Sequence, residues 1–247
     1  MSRLTLIPLA ALTISLGACS DLSGPSPGPG QGRVNLSFGT TQNGSSSGPA
    51  LAEEPMALGG TVLVFQQVEI VLREIELKRL EGTFSCDNRT SGSDDDCEEL
   101  ELGPLLVDLS LDGRTEQVLS VPVDTGTYRR LEFEIHKPDD DTRADSAFLS
   151  QHPDLKRVSI RARGTWNGSP FVFTTDLNVE QRFELMPPIV VREGQTSELT
   201  LRVDLRDWFL NFAGTAFINP QTANHGGQNE NLVRDNIRLS IEALASL

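Results

Sequence analysis

Basic and aromatic residues are scarce in this sequence, and their scarcity excludes several classes of binding protein. The 247 residues include 21 Lys and Arg against 35 Asp and Glu, a formal net charge of -14. Nucleic acid requires clustered basic residues, and anionic lipid is held by an exposed basic face, so neither partner is expected. Aromatic residues make up 6% of the chain, a thin supply for a sugar-binding platform.

The motifs of the common enzyme classes are also missing. The chain has no GxSxG elbow leading from a strand into a helix, no HExxH, no GxxxxGK[ST] and no GxGxxG that opens a helix. It has no CxxC or HxxxH pair for zinc either. These absences predict that the protein is not an enzyme. The alternative is a hydrolase that uses two carboxylates, for which the 35 acidic residues offer many pairs.

The N-terminal apolar run, from Leu4 to Leu16, is shorter than the about 20 residues of a membrane-spanning helix. Because it follows Arg3, it is typical of a signal peptide, which we place at residues 1–18. The sequence Leu16-Gly17-Ala18-Cys19-Ser20 resembles the lipobox of bacterial lipoproteins, where cleavage precedes the cysteine and its thiol is acylated. The resemblance implies a lipid anchor on Cys19. The alternative is a signal peptide with an incidental cysteine.

Residues 19–32 interleave Pro and Gly, so they are unsuited to a strand or a helix. They predict a solvated tether, which is what a domain held at a membrane needs. Ser20, rather than Asp, after the cysteine resembles lipoproteins sent to the outer membrane. We therefore expect a bacterial cell-envelope protein, lipid-anchored at the outer membrane.

Most of the chain alternates apolar and polar residues, the pattern of strands with one buried face. The clearest runs are Val34-Leu36-Phe38, Leu131-Phe133-Ile135, Val158-Ile160-Ala162 and Leu199-Leu201-Val203-Leu205. Thr61 to Leu77 is β-rich throughout and predicts one bent strand or two short ones. Because no amphipathic helix separates the strands, a parallel βαβ sheet is excluded. The pattern predicts an antiparallel β-sandwich over residues 33–206.

Two dipeptides predict hairpins, because they tolerate positive φ. Asn167-Gly168 would join 156–166 to 170–177, and Asp112-Gly113 would join 104–110 to 115–123.

Tyr128, the only tyrosine, begins a strand and resembles the tyrosine corner of Greek-key sandwiches. The alternative is an ordinary half-buried aromatic residue. Arg130 stands where an antibody-type domain has cysteine, which disfavours that family.

The last segment, residues 207–247, changes character. Trp208 follows the final alternating strand, and apolar residues recur at roughly helical spacing between Asn231 and Leu244. This predicts a C-terminal loop and a short helix that closes one end of the sandwich, with Trp208 in a structural role.

Two acidic stretches, 82–103 and 138–154, are expected to be solvent-exposed loops. Their dense carboxylates make calcium a possible cofactor, although neither follows the EF-hand order. The candidate ligands are Asp94, Asp95, Asp96, Asp139, Asp140 and Asp141. The alternative is solvated surface charge without a cation. His136, His152 and His225 lie in separate segments and are expected on the surface.

Cys86 and Cys97 remain once Cys19 carries lipid. A pair in an exported chain suggests a disulfide that closes the acidic loop. The alternatives are free thiols or half of a metal site.

Arg157, Arg161 and Arg163 alternate with apolar residues and predict a solvated face, with an anion-binding patch as the alternative. Trp166, beside the predicted turn, is expected to be partly buried.

The order of these features resembles the DUF4382-type envelope proteins, a family of unknown function. The resemblance rests on short segments: Ile75-Glu76-Leu77, Leu106-Val107-Asp108-Leu109, Gly126-Thr127-Tyr128, Asp207-Trp208-Phe209 and Asn236-Ile237-Arg238-Leu239-Ser240. It implies a prealbumin-like or immunoglobulin-like sandwich and no known chemistry.

Taken together, these patterns predict a non-catalytic binding or scaffolding module of the cell envelope. Its partners would be the membrane, through the lipid, and a protein or glycan of unknown identity. Adhesion or surface assembly is one alternative, and a carboxylate-based envelope hydrolase is the other.

Overall fold

A computed structural model describes residues 26–41, 55–79, 97–101, 103–139 and 141–245. The described chain forms strands for most of its length, with three α-helices near or after its middle. The strands are β1 (Gln31–Thr40), β2 (Pro55–Leu58), β3 (Thr61–Arg79), β4 (Cys97–Glu101), β5 (Leu105–Asp108), β6 (Thr115–Asp124), β7 (Gly126–Ile135), β8 (Ile160–Trp166), β9 (Ser169–Thr175), β10 (Val179–Val191), β11 (Thr196–Val203) and β12 (Ile241–Ala245). The helices are α1 (Arg143–Gln151), α2 (Leu205–Trp208) and α3 (Glu230–Leu239). None of the helices in this part of the chain has the length and apolar character needed to span a bilayer.

The strands form two sheets, as the alternating pattern predicts. One has the order β12-β11-β1-β6, and the other has β10-β7-β3-β8-β9 with β2, β4 and β5 also paired to β3. All pairs are antiparallel except β1 with β11, which run parallel. The protein is therefore a mainly antiparallel β-sandwich.

The core lies where the alternation places it. Val34, Leu36 and Phe38 of β1 are buried, as are the matching apolar residues of β7 and β11. They belong to one hydrophobic cluster that joins the two sheets. Burial of each such side chain contributes on the order of 2 kcal/mol, so this cluster accounts for most of the stabilisation.

β3 is a single bent strand of 19 residues and forms the spine of the larger sheet. Its register shifts between Phe65 and Gln67 and again between Arg73 and Glu76. Glu74, inside the second shift, has φ 52°, a left-handed conformation that marks a bulge. The bends let one strand pair with β8 over 63–70 and with β7 over 72–79, while β5 pairs with 69–72.

One predicted hairpin is confirmed and the other is wrong. Asn167 and Gly168 have φ 49° and 79°, and Trp166 pairs with Ser169 across the two-residue turn between β8 and β9. Asp112-Gly113 does form a turn, but it does not join paired strands. β5 before it pairs with β3 and β6 after it pairs with β1, so the chain crosses here from one sheet to the other.

The acidic stretch 138–154 is not an open loop, because it contains α1. The Thr142 hydroxyl accepts a hydrogen bond from the Asp145 amide at 3.0 Å and begins the helix.

The predicted C-terminal helix is shorter than the helical spacing between Asn231 and Leu244 indicates. α3 ends at Leu239, and Ile241 and Leu244 belong to β12, because the edge of β11 offers backbone hydrogen bonds to the returning chain.

Candidate functional site

The segment before α3 lies against the outer edge of β9, the last strand of its sheet. Asn224 attaches it there. Its side-chain carbonyl accepts from the Thr174 amide at 2.8 Å, and its side-chain NH2 donates to the Val172 carbonyl at 3.2 Å. An edge strand presents unpaired backbone groups, and Asn224 satisfies two of them. The attachment also brings the following loop and the start of α3 beside the end of β9.

Three potential ligand side chains meet at this junction: Asp176 directly after β9, His225 in the loop, and Glu230 as the first residue of α3. One ligand atom from each residue lies within 4.8 Å of the others. His225 Nδ1 is 3.2 Å from Glu230 Oε1, and the Gly226 amide donates to Glu230 Oε2 at 2.7 Å. The site opens to solvent, since the His225 side chain is 80% exposed.

Arg234 places a positive charge between the two carboxylates. Its Nη1 atom donates to Asp176 Oδ1 at 2.8 Å and to Glu230 Oε1 at 3.0 Å. The backbone N–H of Gly226, followed by Arg234 and His225, holds the pKa of Glu230 below its usual range. The carboxylates of Asp176 and Glu230 and the imidazole of His225 can therefore surround one cation. In this structure the guanidinium of Arg234 lies between the two carboxylates.

Sequence reasoning placed His225 on the surface, which is confirmed, but did not single out Asp176 or Glu230. No local motif links all three residues, because Asp176 is far from His225 and Glu230 along the chain. Only the docking of the C-terminal segment on β9 brings them together.

His136, expected on the surface, is instead buried beneath α1. Its Nε2 atom lies 2.8 Å from Asp145 Oδ1, and the two side chains are only 6% and 3% exposed. Its Nδ1 atom has no hydrogen-bond partner and lies 3.7 Å from Glu134 Oε2. Thr142-Arg143-Ala144-Asp145 matches the [ST]-x-x-[DE] pattern of a helix start, and α1 brings Asp145 onto the sheet.

Arg161, expected on a solvated face, is also buried. Its guanidinium forms two hydrogen bonds to Glu69, at 2.5 and 2.8 Å, and a third to Asp154. Arg163 is 40% exposed and bonds to Gln67. The prediction of a solvated face is therefore wrong for Arg161, because β8 pairs with the middle of β3, where Glu69 compensates its charge.

Among the clefts on the described surface, two are lined by charged side chains. The larger, of about 450 Å³, lies beside the Asp112 turn and is lined by Gln67, Asp108 and Glu116 among others. Burial raises the pKa of the Asp108 carboxyl. The smaller cleft, of about 250 Å³, lies along β3, β7 and β10. Its charged groups form ion pairs, among them Arg73 with Glu134 at 2.7 Å.

The two residues predicted to be structural are buried. Tyr128 donates its hydroxyl to the Asp124 carbonyl at 2.8 Å and is inaccessible to solvent, which confirms the tyrosine corner. Trp208 is also fully buried and donates its indole N–H to Ser240 Oγ at 2.7 Å. Trp166 is partly buried against the core, as expected.

The predicted calcium ligands are only partly described. Asp139 pairs with Arg157 at 3.2 Å, and Asp141 is exposed. Several predicted residues lie outside the described residues: Cys19, Cys86, Asp94, Asp95, Asp96 and Asp140. Cys97 begins β4. The calcium site, the disulfide and the lipidation stay predictions.

No protein family matches the sequence, and a comparison with curated proteins found no relative. Among solved structures, the chain is similar to MbnP from Methylosinus trichosporium, with 10% sequence identity and a TM-score of 0.34. The match covers 88% of this chain and 99% of that one.

Proposed function

We propose that this protein is a cell-envelope lipoprotein, anchored through Cys19 at the outer membrane, whose β-sandwich binds or scaffolds a partner without catalysis. The observation that carries the proposal is the order of its first 32 residues: an apolar run, a lipobox-like Leu16–Ser20 and a Pro/Gly-rich tether. Several acyl chains on one cysteine bury enough CH2 groups, at about 0.8 kcal/mol each, to hold a protein of this size at a membrane.

The place where the predicted tether meets the sandwich supports this arrangement, and it lies at Gln31, where β1 begins, rather than after residue 32. The Gly30 amide donates to Glu193 at 3.0 Å, and Gln31 pairs with Asp124 in the neighbouring strand. Arg79, the last residue of β3, pairs with Tyr128 at this same end. Near the opposite end of β3, Leu63 pairs with Trp166, the last residue of β8. The turn between β8 and β9 therefore lies away from the tether.

The end away from the tether is where we expect the partner to bind. The Gly59-Gly60 turn that leads into β3 lies there, close to Thr215 in the loop after α2. That loop carries Phe212, which is 96% exposed. An exposed aromatic ring on the side away from the membrane is suited to a protein partner, since aromatic residues are enriched at interfaces.

The anchor is tested by Cys19→Ser in the natural host, with Cys97→Ser as the matched control. We expect the wild type and Cys97→Ser to fractionate with membranes and to incorporate labelled fatty acid. Cys19→Ser should lose the label and leave the membrane fraction. Unchanged fractionation and labelling of Cys19→Ser would contradict the anchor.

Partner binding is tested separately by a photoreactive amino acid at position 212, with one at Glu193 beside the tether as the control. We expect a discrete crosslinked envelope protein from position 212 and none from position 193. Crosslinks from position 193 alone would place the binding face at the wrong end.

A carboxylate-based hydrolase is the second candidate, favoured by one observation. Asp108 lines the larger cleft, and burial raises its pKa, a property that general acids share. If this candidate is correct, a glycan of the envelope is cleaved by the wild type and not by Asp108→Asn. The binding proposal expects no cleavage by either protein.

A further inference from the structure

We propose that Asp176, His225 and Glu230 form a binding site for a divalent transition-metal ion of the zinc class. Asp176 directly follows β9, His225 lies in the loop after Asn224, and Glu230 begins α3. They join the last strand of the larger sheet to the C-terminal segment. A metal ion here would link these two parts of the fold, and the inference does not depend on the lipid anchor.

The distances between the ligand atoms suit zinc. Zinc binds nitrogen and oxygen at about 2.0 to 2.2 Å, so neighbouring ligands of a tetrahedral ion are about 3.3 to 3.6 Å apart. His225 Nδ1 and Glu230 Oε1 are already 3.2 Å apart. All three ligand atoms lie within 4.8 Å of one another, so small side-chain rotations bring Asp176 to the same ion and leave one position for water.

The Glu230 carboxylate is held in a binding orientation. One of its oxygens, Oε2, accepts from the Gly226 amide at 2.7 Å, which leaves Oε1 directed towards His225 and Asp176. Hydrogen bonds that orient a ligand in this way typically strengthen metal affinity by tenfold or more. The exposed imidazole of His225 can reach the same metal ion by rotation about its side-chain bonds.

The imidazole nitrogen selects the class of metal. Calcium and magnesium prefer oxygen ligands, whereas zinc binds imidazole together with carboxylate. The site therefore differs from the acidic stretches, whose ligands would all be oxygens.

Arg234 acts as the competing cation. Its Nη1 atom lies 2.8 Å from Asp176 and 3.0 Å from Glu230, so it occupies the position between the carboxylates that a metal ion would take. The Arg234 side chain is 24% exposed, so it has an open side towards which it can move. Removal of its charge should therefore tighten metal binding at these two carboxylates.

The test is a zinc titration of the full chain by calorimetry and thermal unfolding. The variants are His225→Ala, Arg234→Met and, as a matched control, His152→Ala. We expect one zinc ion to bind the wild type and His152→Ala and to raise Tm by about 5 to 10 °C at a hundredfold excess over Kd. His225→Ala should lose this ion, and Arg234→Met should bind it severalfold more tightly. Calcium and magnesium should not compete.

Three results would overturn the proposal. The first is equal zinc binding by the wild type and His225→Ala, which would indicate adventitious binding by other groups. The second is displacement of the ion by millimolar calcium. The third is zinc binding by Arg234→Met that is unchanged or weaker.

Discussion

His136 and Asp145 form a buried hydrogen bond, 2.8 Å from Nε2 to Oδ1, that attaches α1 to β7. His136 directly follows β7, and its own amide donates to the Val71 carbonyl at 2.9 Å. His136 therefore links the helix, through its imidazole, and the neighbouring strand β3, through its backbone amide, to the end of β7.

The variant Asp145→Ala should destabilise the protein by about 2 to 3 kcal/mol. It leaves the buried His136 ring with both nitrogens unpaired, and a buried polar group without a partner costs about 1 to 3 kcal/mol. Chemical denaturation measures the change. Asp141→Ala, in an exposed position two residues before α1, is the control and should change stability by less than about 0.5 kcal/mol. Equal effects of the two variants would show that the bond is not stabilising.

The variant Tyr128→Phe should cost about 1 to 1.5 kcal/mol, because it removes the buried bond from the hydroxyl to the Asp124 carbonyl. Ser150→Ala removes a bond of the same type, from a hydroxyl to the Ala147 carbonyl at 2.7 Å, at an exposed site of α1. It should have little effect, since water replaces the lost partner. A loss from Tyr128→Phe no larger than that of Ser150→Ala would contradict a stabilising role for the tyrosine corner.

The variant Glu69→Met should destabilise the protein by about 3 kcal/mol, because it leaves the buried Arg161 charge with Asp154 alone. The double variant Glu69→Met with Arg161→Met should be more stable than the single one, since it removes the uncompensated charge.

The control for the buried pair of Glu69 and Arg161 is an ion pair on the surface. Glu180→Met breaks the pair with Arg182, at 2.8 Å, where both side chains are about half exposed or more. It should cost less than about 1 kcal/mol. Denaturant unfolding measures all three variants. A double variant less stable than Glu69→Met would show that the pair is stabilising beyond its charge compensation.

The variant Glu230→Gln should lower stability at neutral pH but not in acid. The pKa of Glu230 is lowered in the folded protein, first by the Gly226 N–H and also by Arg234 and His225. Its contribution is therefore fully present above about pH 4.3, the ordinary glutamate value, and is lost as the pH falls through the lower folded value.

Unfolding of wild type and Glu230→Gln between pH 7 and pH 3 checks this dependence. The difference in the free energy of unfolding should be constant at neutral pH and should shrink below about pH 4.3. Glu242→Gln, at an exposed position in β12, is the control. A difference that grows in acid would contradict the assignment.

Alternation of residues such as Leu131, Phe133 and Ile135 was enough to predict the β-strands and their buried faces, because the side-chain period of a strand is local. The turn at Asn167-Gly168 and the corner at Tyr128 were equally accessible, since each depends on a few adjacent residues. The turn at Asp112-Gly113 shows where this reasoning ends. The same turn residues can connect two strands of one sheet or two strands of different sheets. The local sequence does not distinguish the two cases.

Sequence alone therefore determined the β-rich class and the net charge, and it predicts a leader, an acylated cysteine and a tether, since these depend on composition and on neighbouring residues. Tertiary structure decided the parallel pairing of β1 with β11, the conversion of Ile241–Ala245 to a strand, and the burial of His136 and Arg161. It also brought Asp176, His225 and Glu230 together. Each of these depends on which distant segment supplies the hydrogen-bonding edge or the opposite charge, and that partner is found only when the chain folds.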